Sequence, residues 1–134
     1  MIHATHGKEV AVRVHNDIGV LAEMTKIVAE KGINILAAAA WVEDHSQGVV
    51  HLVTDDNLRT VEALRAHSYA PEEVRSISVE IEHRPGMLSS ICQKIGLEDI
   101  GIRYLYVSAP INEERCLVIL ATDDDDRALV ALNT

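Results

Sequence analysis

One six-residue pattern occurs twice in this chain, each time between an alternating apolar stretch and an amphipathic one. Asn16-Asp17-Ile18-Gly19-Val20-Leu21 returns as His83-Arg84-Pro85-Gly86-Met87-Leu88. Gly86 follows Gly19 by 67 residues, and Thr122-Asp123 follows Thr54-Asp55 by 68. A repeat of that length is too long for a solenoid unit and fits a small domain of four strands and two helices. The 134 residues are therefore expected to form two tandem copies of one module, residues 1–74 and 75–134. Function is to be sought at the glycine turns and between the copies.

The first copy reads as strand, helix, two strands and helix. Glu9-Val10-Ala11-Val12-Arg13-Val14-His15 alternates with period two, as a half-buried strand does. After the Gly19 turn, Val20, Leu21, Met24, Ile27 and Val28 recur at helical spacing, and Gly32 closes the helix. Ala37 to Ala40 favour helix by propensity. Their counterpart in the second copy, Ile102-Arg103-Tyr104-Leu105-Tyr106-Val107, is β-prone, so Ile33–Val42 is expected as a strand. Val49–Val53 is the third strand, and Asp55-Asp56-Asn57 caps a helix reaching about His67. Pro71 interrupts before Val74–Ile81, and the second copy repeats the order through Cys116–Ala121 to a short helix, Asp125–Leu132.

No residues remain there for a strand that would close the second copy. Either Val74–Ile81 is both the last strand of one copy and the first of the other, or a short strand at Glu72–Arg75 precedes Ser76–Ile81. Both arrangements leave a bare sheet edge, and bare edges invite pairing. The edge is expected to be covered by the N-terminal segment or by another chain. Val49 and Val53 against Val50 and Leu52 make both faces of the third strand apolar, which points to a homodimer.

Composition removes several classes of function. A formal net charge of −9 repels phosphate backbones, so no nucleic-acid partner is expected. The apolar run Ile35–Val42 is too short to span a bilayer, and Met1–His6 has no signal-peptide character. Cys92 and Cys116 lack metal or redox spacing and read as buried hydrophobes in a reducing compartment, hence a cytoplasmic protein. His3 and His6 have no partner set for zinc and read as part of a floppy terminus. Asp123–Asp126 lacks the glycine and alternation of a calcium loop and reads as a helix cap. No nucleophile elbow or Walker loop is present, and neither His15, His51 nor Cys92 has spacing that supports catalysis. No catalytic residue, metal or cofactor is expected.

Strand, Asn-x-x-Gly-Val-Leu, helix, Gly32-Ile33-Asn34-Ile35, two strands and an Asp-capped helix together resemble the ACT domain. The resemblance covers Glu9–Thr134 as two copies, the second looser, with Glu98-Asp99-Ile100 taken as a two-residue insertion before Gly101. It implies an α+β, ferredoxin-like βαββαβ sandwich with antiparallel sheets. It also implies an allosteric sensor of a small amino acid, with a metabolic enzyme or regulator as its partner. The other functional class is a ligand-free dimerisation module that docks an enzyme or transcription factor.

In serine-sensing members the ligand lies between two modules. It is held by an asparagine three residues before the turn glycine and by another at the start of the neighbour's second strand. Asn16 and Asn34 match these positions, while the second copy offers His83 and Arg103. A further family ligand, a histidine, is replaced by Val14. Pairing of the copies within one chain would join Asn16 to Arg103 and His83 to Asn34, with Arg103 able to grip a carboxylate bidentately. The expected ligand-binding set is Asn16, Asp17, Ile18, Gly19, Val20, Leu21, Asn34, His83, Arg84, Gly86, Met87 and Arg103. Chemistry supports the turn as a site: glycine admits close approach, free N–H groups attract a carboxylate, and an amide serves both ends of a zwitterion. Asn16 and Asp17 equally suit a helix N-cap, Asn34 a polar strand start, and Arg103 a surface salt bridge.

Overall fold

The computed structural model describes residues 2–109, 111 and 113–134. Its elements are β1 (His3–His15), α1 (Val20–Glu30), β2 (Ile35–Val42), β3 (Gln47–Thr54) and α2 (Asn57–Ala66). There follow β4 (Pro71–Glu82), α3 (Met87–Leu97), β5 (Ile102–Ser108), β6 (Arg115–Thr122) and α4 (Asp125–Leu132). The four alanines lie in β2, where the repeat places them and propensity does not.

Two compact units result, Lys8–Val74 and Met1–Gly7 with Arg75–Thr134. The N-terminal residues, expected in the first copy, belong instead to the unit built on the second. In the first unit the strand order is β2-β3-β1-β4, and in the second it is β1-β4-β6-β5. Pro71–Glu82 is thus a single strand that closes one copy and opens the next. Pro71 begins it, where a missing N–H costs least. The strand absent from the end of the second copy is supplied by the first residues of β1.

His3 and His6 are therefore strand residues, not a floppy terminus. Ala4 is buried in the second unit's core. The Asn133 amide holds it from the side: the Ala4 N–H donates to Asn133 Oδ1 and Asn133 Nδ2 donates to the Ala4 carbonyl, both at 2.9 Å. His6 Nε2 lies 3.4 Å from Asp126 Oδ1.

Period-two and helical spacing build each core. Val10, Val12 and Val14 of β1 and Val50 and Leu52 of β3 meet Met24, Ile27, Val28, Val61 and Leu64. In the second unit Ile77, Val79 and Ile81 meet Ile91, Ile95, Val118, Leu120, Ala128 and Leu132. The cores are aliphatic because the chain has no phenylalanine. Cys116 joins the second core, but Cys92, expected to be buried, is exposed because it lies off the Ile91–Ile95 stripe of α3.

Helices α2 and α4 start on side-chain caps, as the acidic runs predict. Asp56 accepts from the Arg59 N–H and Asp124 from the Arg127 N–H. The same arginines brace the preceding helices: Arg59 Nη2 reaches the Lys31 carbonyl and Arg127 Nη2 the Glu98 carbonyl, each at 2.8 Å. No sequence signal other than the repeat itself marks this brace.

Candidate functional site

Helices α1 and α3 begin differently. Gly19 and Gly86 sit at φ 87° and 91°, in the left-handed region that glycine enters without strain, and no side chain caps either helix. Asn16 and Asp17 therefore do not serve as an N-cap. The turn is held by backbone instead: Asp17 N–H to the His15 carbonyl at 2.8 Å, and Glu23 N–H to the Gly19 carbonyl at 3.0 Å. A Cβ at either glycine would meet nothing within 4 Å, so conformation alone demands glycine and the space in front of the turn is open. Two helices have their N–H ends closed by carboxylates, and the two that follow glycine turns have no side-chain cap. Their first N–H groups, of Val20 and Met87, turn back to the Asp17 and Arg84 carbonyls, and the next ones face outward with the dipole behind them.

The first unit places the wider set of expected residues around this turn. Ile18 is fully exposed at its tip. On one side lies a cavity of about 510 Å³ lined by Asp17, Ile18, Gly19, Glu23, His67 and Tyr69, among others. On the other side Asn16, Leu21, Trp41 and Val42 line an apolar groove of about 140 Å³. Leu21, Trp41 and Val42 are exposed large apolar residues, which on a small domain mark an interaction surface.

Within the 510 Å³ cavity Tyr69 Oη donates to Glu23 Oε1 at 2.7 Å. Burial of the hydroxyl, then this hydrogen bond and the Glu23 charge, push the Tyr69 pKa up to about 12. The neutral phenol is thus favoured by the fold, a contribution complete below pH 10 and lost as the pH rises through about 12. Titration followed by ultraviolet absorbance is expected to show one tyrosine ionising near 12 and to lose that step in Tyr69→Phe. Glu23→Gln is expected to lower it part of the way, since burial remains.

Asn34 lies at the other end of the unit. In the β2–β3 ladder Ile35 pairs with Thr54 and Val42 with Gly48, while Val14 of β1 also faces Gly48. Asn16 therefore sits beside the Val42 end and Asn34 beside the Thr54 end. At ~3.3 Å per residue the two ends of β2 are roughly 25 Å apart. The Asn34 side chain is exposed, and its backbone is paired with Asp55 through two 3.0 Å hydrogen bonds. The two asparagines do not meet within one unit.

The second copy corrects the sequence alignment. There is no two-residue insertion: Asp99, at φ 58°, takes the left-handed position of Gly32 at φ 71°. Ile33 N–H reaches the Val28 carbonyl, and Ile100 N–H the Ile95 carbonyl. Asp55 N–H reaches the Asn34 carbonyl, and Asp123 N–H the Gly101 carbonyl. The counterpart of Asn34 is therefore Gly101, and Arg103 corresponds to Leu36. A Cβ at Gly101 would lie 2.3 Å from Asp123 Oδ2. Arg103 Nε donates to that carboxylate at 3.2 Å, the salt bridge weighed against a ligand role. Arg84 Nε donates to Glu82 at 2.7 Å and holds its carboxyl below the usual range. His83 is exposed, and Met87 faces the core and not the turn.

One cluster escaped the sequence reading. Glu9, 0% exposed, and His51, 8% exposed, form a buried pair with Oε1 and Nδ1 3.0 Å apart. The Trp41 ring lies 5.1 Å from that of His51. Alternation shows which face of a strand Glu9 is on, but not that this face is also covered. Among the described residues, no group of three His, Cys, Asp or Glu side chains is placed to hold a metal ion. No helix among the described residues is long and apolar enough to cross a membrane.

Residues 6–133 match the family described as the ACT domain pair. The chain belongs to that family. A Bacteroides thetaiotaomicron protein shares its fold with a TM-score of 0.86 at 22% identity, over 97% of this chain and 88% of that one. The ligand-free regulatory subunit of aspartate kinase from Thermus thermophilus does so with a TM-score of 0.67 at 18% identity, over 98% and 94%. A C-terminal regulatory domain of aspartate kinase from Porphyromonas gingivalis follows at 0.56 and 16%, over 99% and 94%. No curated protein sequence matches the chain. The ACT pair is a regulatory architecture, and its two turns are where the copies diverge.

Proposed function

We propose that this ACT domain pair is a cytoplasmic regulatory protein that binds a small α-amino acid and passes the change to an enzyme or regulator of amino-acid metabolism. The carrying observation is the uncapped N-terminus of α1 at Gly19, beside Asn16 and the exposed Ile18. The ligand carboxylate faces the first-turn N–H groups, and its ammonium meets amide oxygen.

Asn34 joins this site from a second chain. β2 pairs with β3 and is the outer strand of its unit. Its edge carries Asn16 near one end and Asn34 near the other. Antiparallel two-fold pairing of two such edges brings the Asn16 end of each chain to the Asn34 end of its partner, giving two equal sites and a homodimer. Ligand bound across that junction favours one packing of the modules, which is the regulatory signal. Pairing of Asn16 with Arg103 would instead require β2 to meet β5 and Arg103 to leave Asp123.

A second reading has support of its own. The second copy has no amide pair: Gly101 stands in Asn34's place and His83 in Asn16's. That copy serves contact rather than sensing. A thermal-shift screen against the twenty amino acids separates the readings: stabilisation by one of them supports the sensor, and no shift with any leaves the ligand-free docking module. Isothermal titration of Arg103→Ala with that amino acid is expected to match the unaltered chain, and a loss of affinity would move the site to Asn16 and Arg103.

A further inference from the structure

The two units carry the same helix pair, yet they differ at two equivalent outward positions. Where the first unit has Glu30 and Glu62, the second has Leu97 and Val130, 67 and 68 residues later. Leu97 is 86% exposed and Val130 70%. Both line one groove of about 580 Å³ between α3 and α4. A single exposed aliphatic residue is ordinary. Two in one groove, in place of acids, in a chain of net charge −9, are not. The first unit has one such residue on this face, Leu58, where the second has Asp126.

Charge around the groove is arranged in two halves. Lys94 lies at one end, with its Nζ 3.0 Å from the Thr134 carbonyl. Glu98 and Asp126 lie at the other, with one cation between them, Arg127, 3.9 Å from the Glu98 carboxylate. One end is cationic and the other carries a net negative charge. A two-fold contact must be complementary to itself, and this groove is: apposed antiparallel, the Lys94 end of one copy faces the Glu98–Asp126 end of the other. Leu97 and Val130 then meet their own counterparts in the centre, shielded from water.

We propose that the α3–α4 face is a self-association surface whose occupant is the same face of a second copy of this chain. The contact is separate from the ligand reading and from β2 pairing, and uses neither turn. Two different two-fold interfaces on one chain build an assembly of four or more.

The test is the light-scattering mass of the intact chain against Leu97→Glu/Val130→Glu, which installs the residues the first unit carries at these positions. The expected result is a twofold fall in mass with a cooperative melting transition retained, its midpoint no longer rising with protein concentration through this contact. The species left identifies the other interface: a residual dimer keeps β2 pairing, and a monomer removes that pairing while leaving this proposal standing. An unchanged mass with the variant folded overturns the self-association surface and assigns the groove to another protein. If the double variant does not fold, Val130→Lys alone gives the same readout, and an unchanged mass there overturns the proposal equally.

Discussion

Deleting residues 2–7 is expected to abolish cooperative folding of the second unit. The deleted segment is that unit's closing strand beside β4, and Ala4 and Ile2 pack in its core. Without it the inner strand β4 becomes a bare edge, a template for aggregation. A gentler version is Asn133→Ala. It leaves the Ala4 N–H and carbonyl without their 2.9 Å partners, at about 1–3 kcal/mol for each group left buried and unpaired. Hydrogen exchange reads both variants by residue. The Val118 and Leu120 amides of β6 should lose protection while those of Val50 and Leu52 in β3 keep most of theirs. Equal loss in both sets would mean that the N-terminal strand is not specific to the second unit.

The other large effect is expected at the ligand site. Asn16→Ala and Asn34→Ala should each weaken amino-acid binding by roughly ten- to a hundredfold, because a hydrogen bond to a charged ligand group contributes about 1.5–3 kcal/mol. Neither side chain is in a core: both are exposed, so melting temperature in the absence of ligand should barely move. Two outcomes carry most information together. If Asn16→Ala binds weakly and Asn34→Ala normally, the turn is a site but the partner edge contributes nothing. If both lose binding equally, they act on one ligand, although a single chain holds them at opposite ends of β2.

Local chemistry made much of this legible. Gly19 and Gly86 read as turns because glycine enters the left-handed region without strain, and Asp56 and Asp124 read as caps because they stand just before an apolar helical stripe. The repeat overrode helix propensity at Ala37–Ala40. What remained hidden was non-local. His3 to Gly7 belong to a strand whose partner lies some seventy residues away, and Thr-His-Gly carries little apolar alternation to betray it. The misplaced counterpart of Asn34 has a simple cause. Matching glycine to glycine sets Gly32 against Gly101, whereas the left-handed position of the second copy is filled by Asp99, a residue that tolerates it. Glu9 falls on the polar side of its strand's alternation, and that spacing carries no record that His51 on the neighbouring strand closes over it.

In the proposed site the glycine turn of the first unit receives an amino acid across two chains. A thermal-shift screen of the intact chain against the twenty amino acids, repeated with Asn16→Ala, tests it most directly. The prediction is stabilisation by one amino acid at millimolar concentration, abolished in the variant. Stabilisation that survives Asn16→Ala unchanged, or none with any amino acid, would contradict it.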